Sequence, residues 1–360
     1  MTYAQRIERV RERMDACGVD AVLLSMGADL PYLTGYEAMP LERLTMLVLP
    51  RRGDARLVVA RLEAPRVEPR PEFEVVAWDE PGDPIALVAS MVGNPGRVAI
   101  GDQTWAGFVL DLQRALPKTS FGRASEVVGP VRAAKDPDEI AALRAAGSAV
   151  DRVAAVMRAR PFAGRTEIDV HRELVARMLE LGHQKANFAI VGAAEHAASP
   201  HHEPGARVIA DGEVVLCDFG GTMNGYCSDI TRMFHVGTPT AEVTDTYAVL
   251  FEAQEAAVRA AQVGTPCEAV DGAARSIIAA AGFGDRFIHR TGHGIGVEAH
   301  EDPYIVSGNA APLAEGNAFS IEPGIYLPGR FGLRLEDIVV ATDAGPDRLN
   351  LAERDIAVVG

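Results

Sequence analysis

The segment "DGEVVLCDFG" (residues 211–220) is matched in outline by "EGNAFSIEPG" (residues 315–324). Each opens on an acid–Gly pair and continues as a β-prone run. Each then places an acid seven residues after the first and a glycine two residues further on. The later acids are Asp218 and Glu322. A second acid follows each, Asp229 in "CSDITRMF" after 11 residues and Glu336 in "LEDIVVA" after 14, with isoleucine within two residues and more β-prone sequence beyond. A duplicated strand–turn–strand unit would bring two such hairpins together about a pseudo-twofold axis. The alternative is coincidence, because strands ending in acid-x-Gly are common in αβ proteins. Burying an acid in an apolar run is costly unless it is paired, and "VVLCDFG" and "FSIEPG" are too apolar for a wholly solvated edge. Four converging carboxylates would raise one another's pKa. Two divalent cations would remove that conflict.

A fifth ligand is expected in "HRTGHGIGVEAHED" (residues 289–302), which holds three of the nine histidines. Gly292, Gly294 and Gly296 alternate around His293, so its flanking side chains are absent and backbone can approach closely. The spacing is not the His-Glu-x-x-His of a helical zinc site. No Gly-x-Gly-x-x-Gly or Walker pattern occurs either. Four carboxylates and a neutral imidazole balance about four units of metal charge, and a bridging hydroxide would complete the shell. Such a mostly oxygen donor set suits Mn²⁺ or Co²⁺ more than a structural zinc. Two cations roughly 3.5–4 Å apart are a hydrolytic device.

The rest of the chain sets limits. Its 360 residues suffice for two domains, and 48% hydrophobic with 24% charged residues is ordinary for a globular protein. A net charge of −15 argues against nucleic acid, and no polybasic segment offers itself to an acidic membrane. No run of eighteen apolar residues exists. At the N-terminus Ile7, Val10, Met14 and Cys17 fall at helical spacing with Gly18 as the stop, which is not a signal peptide. Cys17, Cys217, Cys227 and Cys267 lack Cys-x-x-Cys spacing and read as reduced thiols of a cytoplasmic protein. Cys217 precedes Asp218 in a strand, so it should face the opposite side as a small core hydrophobe.

Residues 1–130 read as an α/β domain, with strands in "VDAVLL", "LTMLVLP", "RLVVA", "FEVVAW" and "RVAIG" and helices in "DPIALVASMV" and "WAGFVLDLQRAL". The boundary falls near "VRAAKDPDEIAALRAAGSAV", where Asp136, Pro137 and Glu139 form a helix start. Residues 131–360 continue with a second helix from Thr166 and two more near 240–262 and 268–281, with strands rich in His, Asp, Glu and Gly between them.

The motifs "VVLCDFG", "CSDITRMF", "GHGIG", "FSIEPGIY" and "LRLEDIV" resemble, in order, the metal-ligand motifs of the pita-bread metallopeptidases. That group includes Xaa-Pro dipeptidase (prolidase), aminopeptidase P and methionine aminopeptidase. The resemblance covers the whole chain. It implies an α/β plus α+β protein, with a small creatinase-like N-terminal α/β domain over 1–130 and a pita-bread catalytic domain with a pseudo-twofold repeat over 131–360. Methionine aminopeptidases lack the first domain, so the proline-specific branch fits better.

The resemblance also implies roles. Asp218, Asp229, His293, Glu322 and Glu336 would hold two divalent ions, Mn²⁺ first, with Co²⁺ or Zn²⁺ open. Asp229 and Glu336 would bridge them. His201, seventeen residues before Asp218, would help hold a tetrahedral intermediate, and His300 would donate to the developing oxyanion. His289 would contact the proline side, Glu322 would carry the proton to the leaving nitrogen, and Arg334 would support the bridging carboxylate. His202 is expected to be structural or at the rim. His171, His183 and His196 lie outside every motif and read as surface or capping residues, and His235 receives no role. Substrates would be proline-containing dipeptides or short peptides, and the enzyme a homodimer with the N-terminal domain of one subunit near the other's active site.

Many prolidases carry an arginine right after the His-Glu-x-Pro that begins at the position of His300; here "HEDPYI" puts Tyr304 there. A phenol cannot make the forked contact of a guanidinium to a carboxylate. Arg43 in "GYEAMPLERLT", with Glu37 and Glu42 nearby, is the candidate substitute. The expected activity is that of an Xaa-Pro dipeptidase. The alternatives are an aminopeptidase P acting on longer peptides, a creatinase-like hydrolase without metal, and a binding module on the same fold.

Overall fold

The computed structural model describes all 360 residues, Met1–Gly360. They divide into two compact units, Met1–Arg132 and Ala133–Gly360.

The first unit begins with α1 (Tyr3–Cys17), capped by Thr2 and Gln5 in a reciprocal capping box and closed at Gly18 in the left-handed region (φ 66°). Its buried stripe is Ile7, Val10 and Met14. There follow β1 (Ala21–Leu24), α2 (Asp29–Thr34), β2 (Met46–Pro50), β3 (Ala55–Ala60), β4 (Phe73–Trp78), α3 (Pro84–Val92), β5 (Arg97–Ile100), α4 (Ala106–Ala115), β6 (Ser120–Arg123) and α5 (Gly129–Ala133). The six strands form one mixed sheet in the order β4-β3-β2-β1-β5-β6. Leu23, Met46, Val48, Val58 and Val98 share a core cluster with Val88 of α3 and Leu112 of α4. The sequence reading foresaw five of these strands and missed β6, whose "SFGR" has no apolar alternation.

The second unit is built as two similar halves. The first comprises α6 (Pro137–Arg158), α7 (Glu167–Glu180), β7 (Lys185–Ala193), β8 (Val214–Met223), β9 (Tyr226–Cys227) and β10 (Ile230–Val236). The second comprises α8 (Ala241–Ala260), α9 (Cys267–Ala280), β11 (Gly292–Gly294), β12 (Glu301–Ile305), β13 (Ala318–Ile321), β14 (Gly324–Leu327), β15 (Phe331–Arg334) and β16 (Asp337–Thr342), with β17 (Gly345–Arg348) and β18 (Ala357–Val359) at the end. In the first half β8 lies between β7 and β10, antiparallel to both. In the second half β13 lies between β11 and β16, again antiparallel to both. The repeat noted in the sequence thus falls on the two central strands. The unequal spacings of 11 and 14 residues reflect the hairpins between the paired acids, β8–β9 in one half and β14–β15 in the other. A bridge between Thr231 and Glu336 joins the two sheets where the halves meet.

Strand alternation decides which way the acids point. Val215, Cys217 and Phe219 of β8 pack with Val150, Val153 and Met157 of α6 and Val170, Leu174 and Met178 of α7. Asp218 therefore faces away from that helix pair. In β13, Phe319 and Ile321 join the cluster of Leu250, Ala253 and Ala257 of α8 and Val270, Ala274 and Ile278 of α9. Glu322, in phase with Ser320, points to the other side. Both halves thus lay helices on one face of a sheet and leave acids on the opposite face. Cys217 is buried, and desolvation raises its thiol pKa, as expected of a core residue.

Candidate metal centre

Asp218 sits mid-strand in β8, opposite Thr231 of β10. Asp229 immediately precedes β10, Glu322 immediately follows β13, and Glu336 immediately precedes β16. His293 is the middle residue of β11. Its two glycine neighbours are required by close approach: a Cβ at Gly292 would run into the Ser320 carbonyl, and one at Gly294 into backbone of Glu301 and Asp302. β11 is thereby pressed between β12 and β13, and the His293 amide donates to Ser320 Oγ at 3.0 Å. The same hydroxyl donates to Glu322 Oε1 at 3.0 Å.

These five side chains converge. His293 Nε2 lies 3.2 Å from Glu322 Oε1 and 3.9 Å from Asp229 Oδ2. Ligand atoms of Asp229, His293 and Glu336 all lie within 4.8 Å of one another. Thr231 Oγ1 donates to Glu336 Oε2 at 2.7 Å. Arg334, only 2% exposed, donates to Asp218 Oδ2 at 2.5 Å, Tyr326 Oη at 2.8 Å and the Pro200 carbonyl at 3.2 Å. Its fixed link is thus to Asp218, together with a 3.3 Å contact to Thr231 Oγ1, rather than directly to Glu336.

The electrostatics are those of crowded carboxylates that lack a compensating cation. Burial raises the pKa of Asp218, Asp229 and Glu336, and neighbouring carboxylates push each of them further in the same direction. Glu322 differs: burial works to raise it, but the hydrogen bond and charge of His293, with His289 and Arg334, hold it at about 2. Asp218 Oδ1 and Asp229 Oδ1 are buried and have no hydrogen-bond partner. Unpartnered carboxylate oxygens in such a site are costly. Four acids, one imidazole and two orphaned oxygens fit divalent cations well.

The remaining histidines arrange around this cluster. The His300 ring centroid lies 3.9 Å from that of His293. Burial, then the charges of His293 and Arg290, lowers its pKa to about 4, so it is neutral at physiological pH. His289 Nε2 meets Tyr326 Oη at 2.8 Å, and burial lowers its pKa as well. Tyr326 therefore links His289 to Arg334, and burial raises its phenol to about 12. His201 is exposed and close enough to contribute to the lowered pKa of His300. An ion pair on α9 steers the segment before β11. Arg275 grips Asp271 with two contacts of 2.8 Å and donates to the Phe287 and His289 carbonyls. Asp271 Oδ1 accepts from Thr291 Oγ1 at 2.7 Å.

Several side chains depart from what the sequence suggests, whereas His202 has the structural role expected of it. His183 is buried, not a surface residue, and its Nε2 meets Ser228 Oγ at 2.8 Å. His196 and His202 both meet the carboxylate of Glu167, at 3.0 and 2.9 Å. That carboxylate also accepts from the amides of Ala193 and Gly205, so its oxygens are fully used and the group reads as a brace for the loop carrying His201. Arg43 and Glu37 belong to the first unit. Arg43 is bound by Glu42 and Glu80, and Glu37 is exposed. Tyr304 is half-buried under the guanidinium of Arg290, 4.5 Å from the ring centroid. Thr231, Ser320, Tyr326, Asp271 and Arg275 were not singled out from sequence. Thr231, in "CSDITRMF", and Ser320 and Tyr326, in "FSIEPGIY", lie within quoted motifs, whereas Asp271 and Arg275 lie outside all of them.

Comparison with known proteins agrees with this geometry. The model of metallopeptidase family M24 matches residues 141–343, and that of the creatinase/prolidase N-terminal domain matches residues 6–134. The chain is 41% identical to a probable dipeptidase PepE of Mycobacterium tuberculosis over 363 residues, covering 99% of this chain and 96% of that one. It is similar to the crystal structure of dipeptidase PepE from Mycobacterium ulcerans, with 40% identity and a TM-score of 0.92 over 99% of this chain and 98% of that one. It is also similar to a recombinant prolidase from Thermococcus sibiricus, with 38% identity and a TM-score of 0.94 over 99% of both chains.

Proposed function

Because the chain belongs to metallopeptidase family M24, we propose that it is a dinuclear-metal exopeptidase cleaving the X–Pro bond of dipeptides. The observation that carries this reading is the convergence of buried Asp218, Asp229, His293 and Glu336 with half-buried Glu322, two of the carboxylate oxygens lacking any partner. The names of its relatives, a probable dipeptidase and a prolidase, favour dipeptides.

Asp218, Asp229, His293, Glu322 and Glu336 would hold the two cations, and their oxygen-rich set favours Mn²⁺ or Co²⁺, with Zn²⁺ also compatible. When bound, the metals supply an acidified water and a Lewis acid for the scissile carbonyl. The chain's own groups do the rest. Glu322, kept ionised beside His293, accepts a proton at Oε and delivers it to the leaving imide nitrogen. His300, neutral near pH 7, donates an N–H to the oxyanion without bringing a full positive charge beside the cations. His201, near enough to His300 to influence it electrostatically, helps hold the tetrahedral species. His289, fixed by Tyr326, contacts the proline ring. Arg334 holds Asp218 in place. Proline's nitrogen carries no hydrogen, so recognition must rest on the ring and the tertiary amide.

A cytoplasmic homodimer belongs to the same reading. No helix is long and apolar enough to cross a membrane, and the four cysteines are free. The test is hydrolysis of Ala-Pro against Ala-Pro-Ala with added Mn²⁺. Faster cleavage of Ala-Pro supports the dipeptidase. Faster cleavage of Ala-Pro-Ala makes the protein an aminopeptidase P instead.

A further inference from the structure

The guanidinium groups packed around the candidate centre are mostly engaged, as Arg232 is by the Glu336 carbonyl and Asp337. Arg334 is buried and bound to Asp218, Tyr326 and Pro200. Arg275 is clamped to Asp271 and donates to two backbone carbonyls. Arg290 is different. It is half-buried and adjoins His289, and its guanidinium has no carboxylate or hydrogen-bond partner. The guanidinium lies instead over the face of Tyr304, 4.5 Å from the ring centroid. An arginine without an anion is notable in a chain with 50 acidic and 35 basic residues.

The packing explains how Arg290 is held. β11 and β12 pair with Gly292 opposite Ile305, and the Thr291 amide donates to the Ile305 carbonyl at 3.0 Å. Arg290 lies two residues before Gly292, outside the ladder, and Tyr304 lies within β12 next to Ile305. The Tyr304 carbonyl accepts from Asn309 Nδ2 at 2.7 Å, which secures the backbone beneath the ring. A guanidinium stacked on an aromatic face uses the face of its plane and leaves its N–H edge free for a forked carboxylate contact. Arg290 adjoins His289 and stands three residues before His293, so the stacked cation belongs to the segment that carries these two histidines.

We propose that Arg290, held flat on Tyr304, receives the free C-terminal carboxylate of the dipeptide substrate. Tyr304 then serves as a platform for the binding cation rather than as a contact to the anion. The inference rests on the dipeptidase reading and deepens it, since a charged C-terminus becomes the feature that selects short substrates. Arg43 is not needed for this task, because Glu42 and Glu80 already occupy it.

The experiment compares Ala-Pro with its C-terminal carboxamide on the metal-loaded enzyme and on Arg290→Gln, Arg290→Lys and Tyr304→Leu. L-proline and L-prolinamide binding are measured by calorimetry as a readout independent of turnover. Arg290→Gln is expected to raise KM for Ala-Pro at least tenfold, equivalent to about 1.4 kcal/mol. Its kcat and its KM for the carboxamide should change far less, and its preference for proline over prolinamide should vanish. Arg290→Lys keeps the charge without the fork and should fall between. Tyr304→Leu should give the same acid-selective shift at smaller size. Equal losses on acid and carboxamide, or no loss on either, would overturn the assignment. If the wild type cleaves Ala-Pro and Arg290→Gln keeps the wild-type preference for the free carboxylate over the carboxamide, the assignment fails and the dipeptidase reading stands. If the wild type cleaves only longer peptides, both fail.

Discussion

Replacing Arg334 by methionine separates what the protein itself stabilises from what the cations stabilise. The guanidinium is 2% exposed, contacts Asp218 at 2.5 Å, and bonds Tyr326 and the Pro200 carbonyl. Methionine keeps much of the volume but removes the charge and the donors. Without metal, Asp218 is left beside Asp229, Glu322 and Glu336 with no guanidinium to offset it. Breaking a buried ion pair from one side costs about 3–5 kcal/mol. In a unit of this size that corresponds to a fall in Tm on the order of 10 °C. With saturating Mn²⁺ the cations compensate Asp218, and the loss should shrink to that of the neutral hydrogen bonds, about 1–2 kcal/mol. By linkage the variant must then gain more stability from metal than the wild type does. The assay is urea unfolding near neutral pH, with chelator and with Mn²⁺, for both proteins. If Arg334→Met lost the same stability in both conditions, Arg334 would be a packing residue and the charge argument would be wrong.

His300→Ala should keep metal content while kcat falls roughly 10²-fold or more, the range for one oxyanion donor; an unchanged kcat in steady-state assays would remove His300 from the mechanism. Asp229→Ala, Glu336→Ala and His293→Ala should lose metal and activity together, checked by elemental analysis beside turnover. Asp229→Asn should also lose metal, yet make the chelated protein harder to unfold at mildly alkaline pH. Burial and Glu336 raise the pKa of Asp229, so the folded state binds a proton that the unfolded chain has released, and stability falls as pH rises. The gain from asparagine should therefore shrink as pH is lowered and the wild-type carboxyl takes up its proton, and denaturant midpoints across pH would show it.

The parts of the site that were legible in the sequence are those whose chemistry contradicts their local setting. Asp218 and Glu322 stand in runs of apolar residues, and His293 stands between glycines. Each is anomalous without a ligand. Helix starts were legible for a related reason, because caps are local: the capping box of Asp136 and Glu139 is present, and Thr166 caps α7. Groups whose role is set by a distant partner were not legible. Arg232 resembles any strand arginine, yet it is buried, donates to the Glu336 carbonyl at 2.6 Å and to Asp337 Oδ1 at 2.7 Å, and so ties β10 to β16. Glu167 reads as an ordinary acid in the first turn of a helix, but its carboxylate collects two amides and two imidazoles.

This difference has a functional side. The proposed ligands are one mid-strand aspartate, three acids at strand ends and one glycine-flanked histidine, and the two halves of the fold contribute them unequally. The half from α6 to β10 gives Asp218 and Asp229; the half from α8 to β16 gives His293, Glu322 and Glu336. Holding the two halves in register therefore matters as much as the ligands. The contacts that do so, Thr231 to Glu336, Arg232 to Asp337 and Arg334 to Asp218, all run from one half to the other. Each involves a carboxylate that is a proposed ligand or its immediate neighbour. A substitution that loosens this seam thus changes the spacing of the acids before it unfolds either half, because each half keeps its own helices packed on its own sheet. Loss of metal affinity should precede loss of secondary structure as such variants are heated.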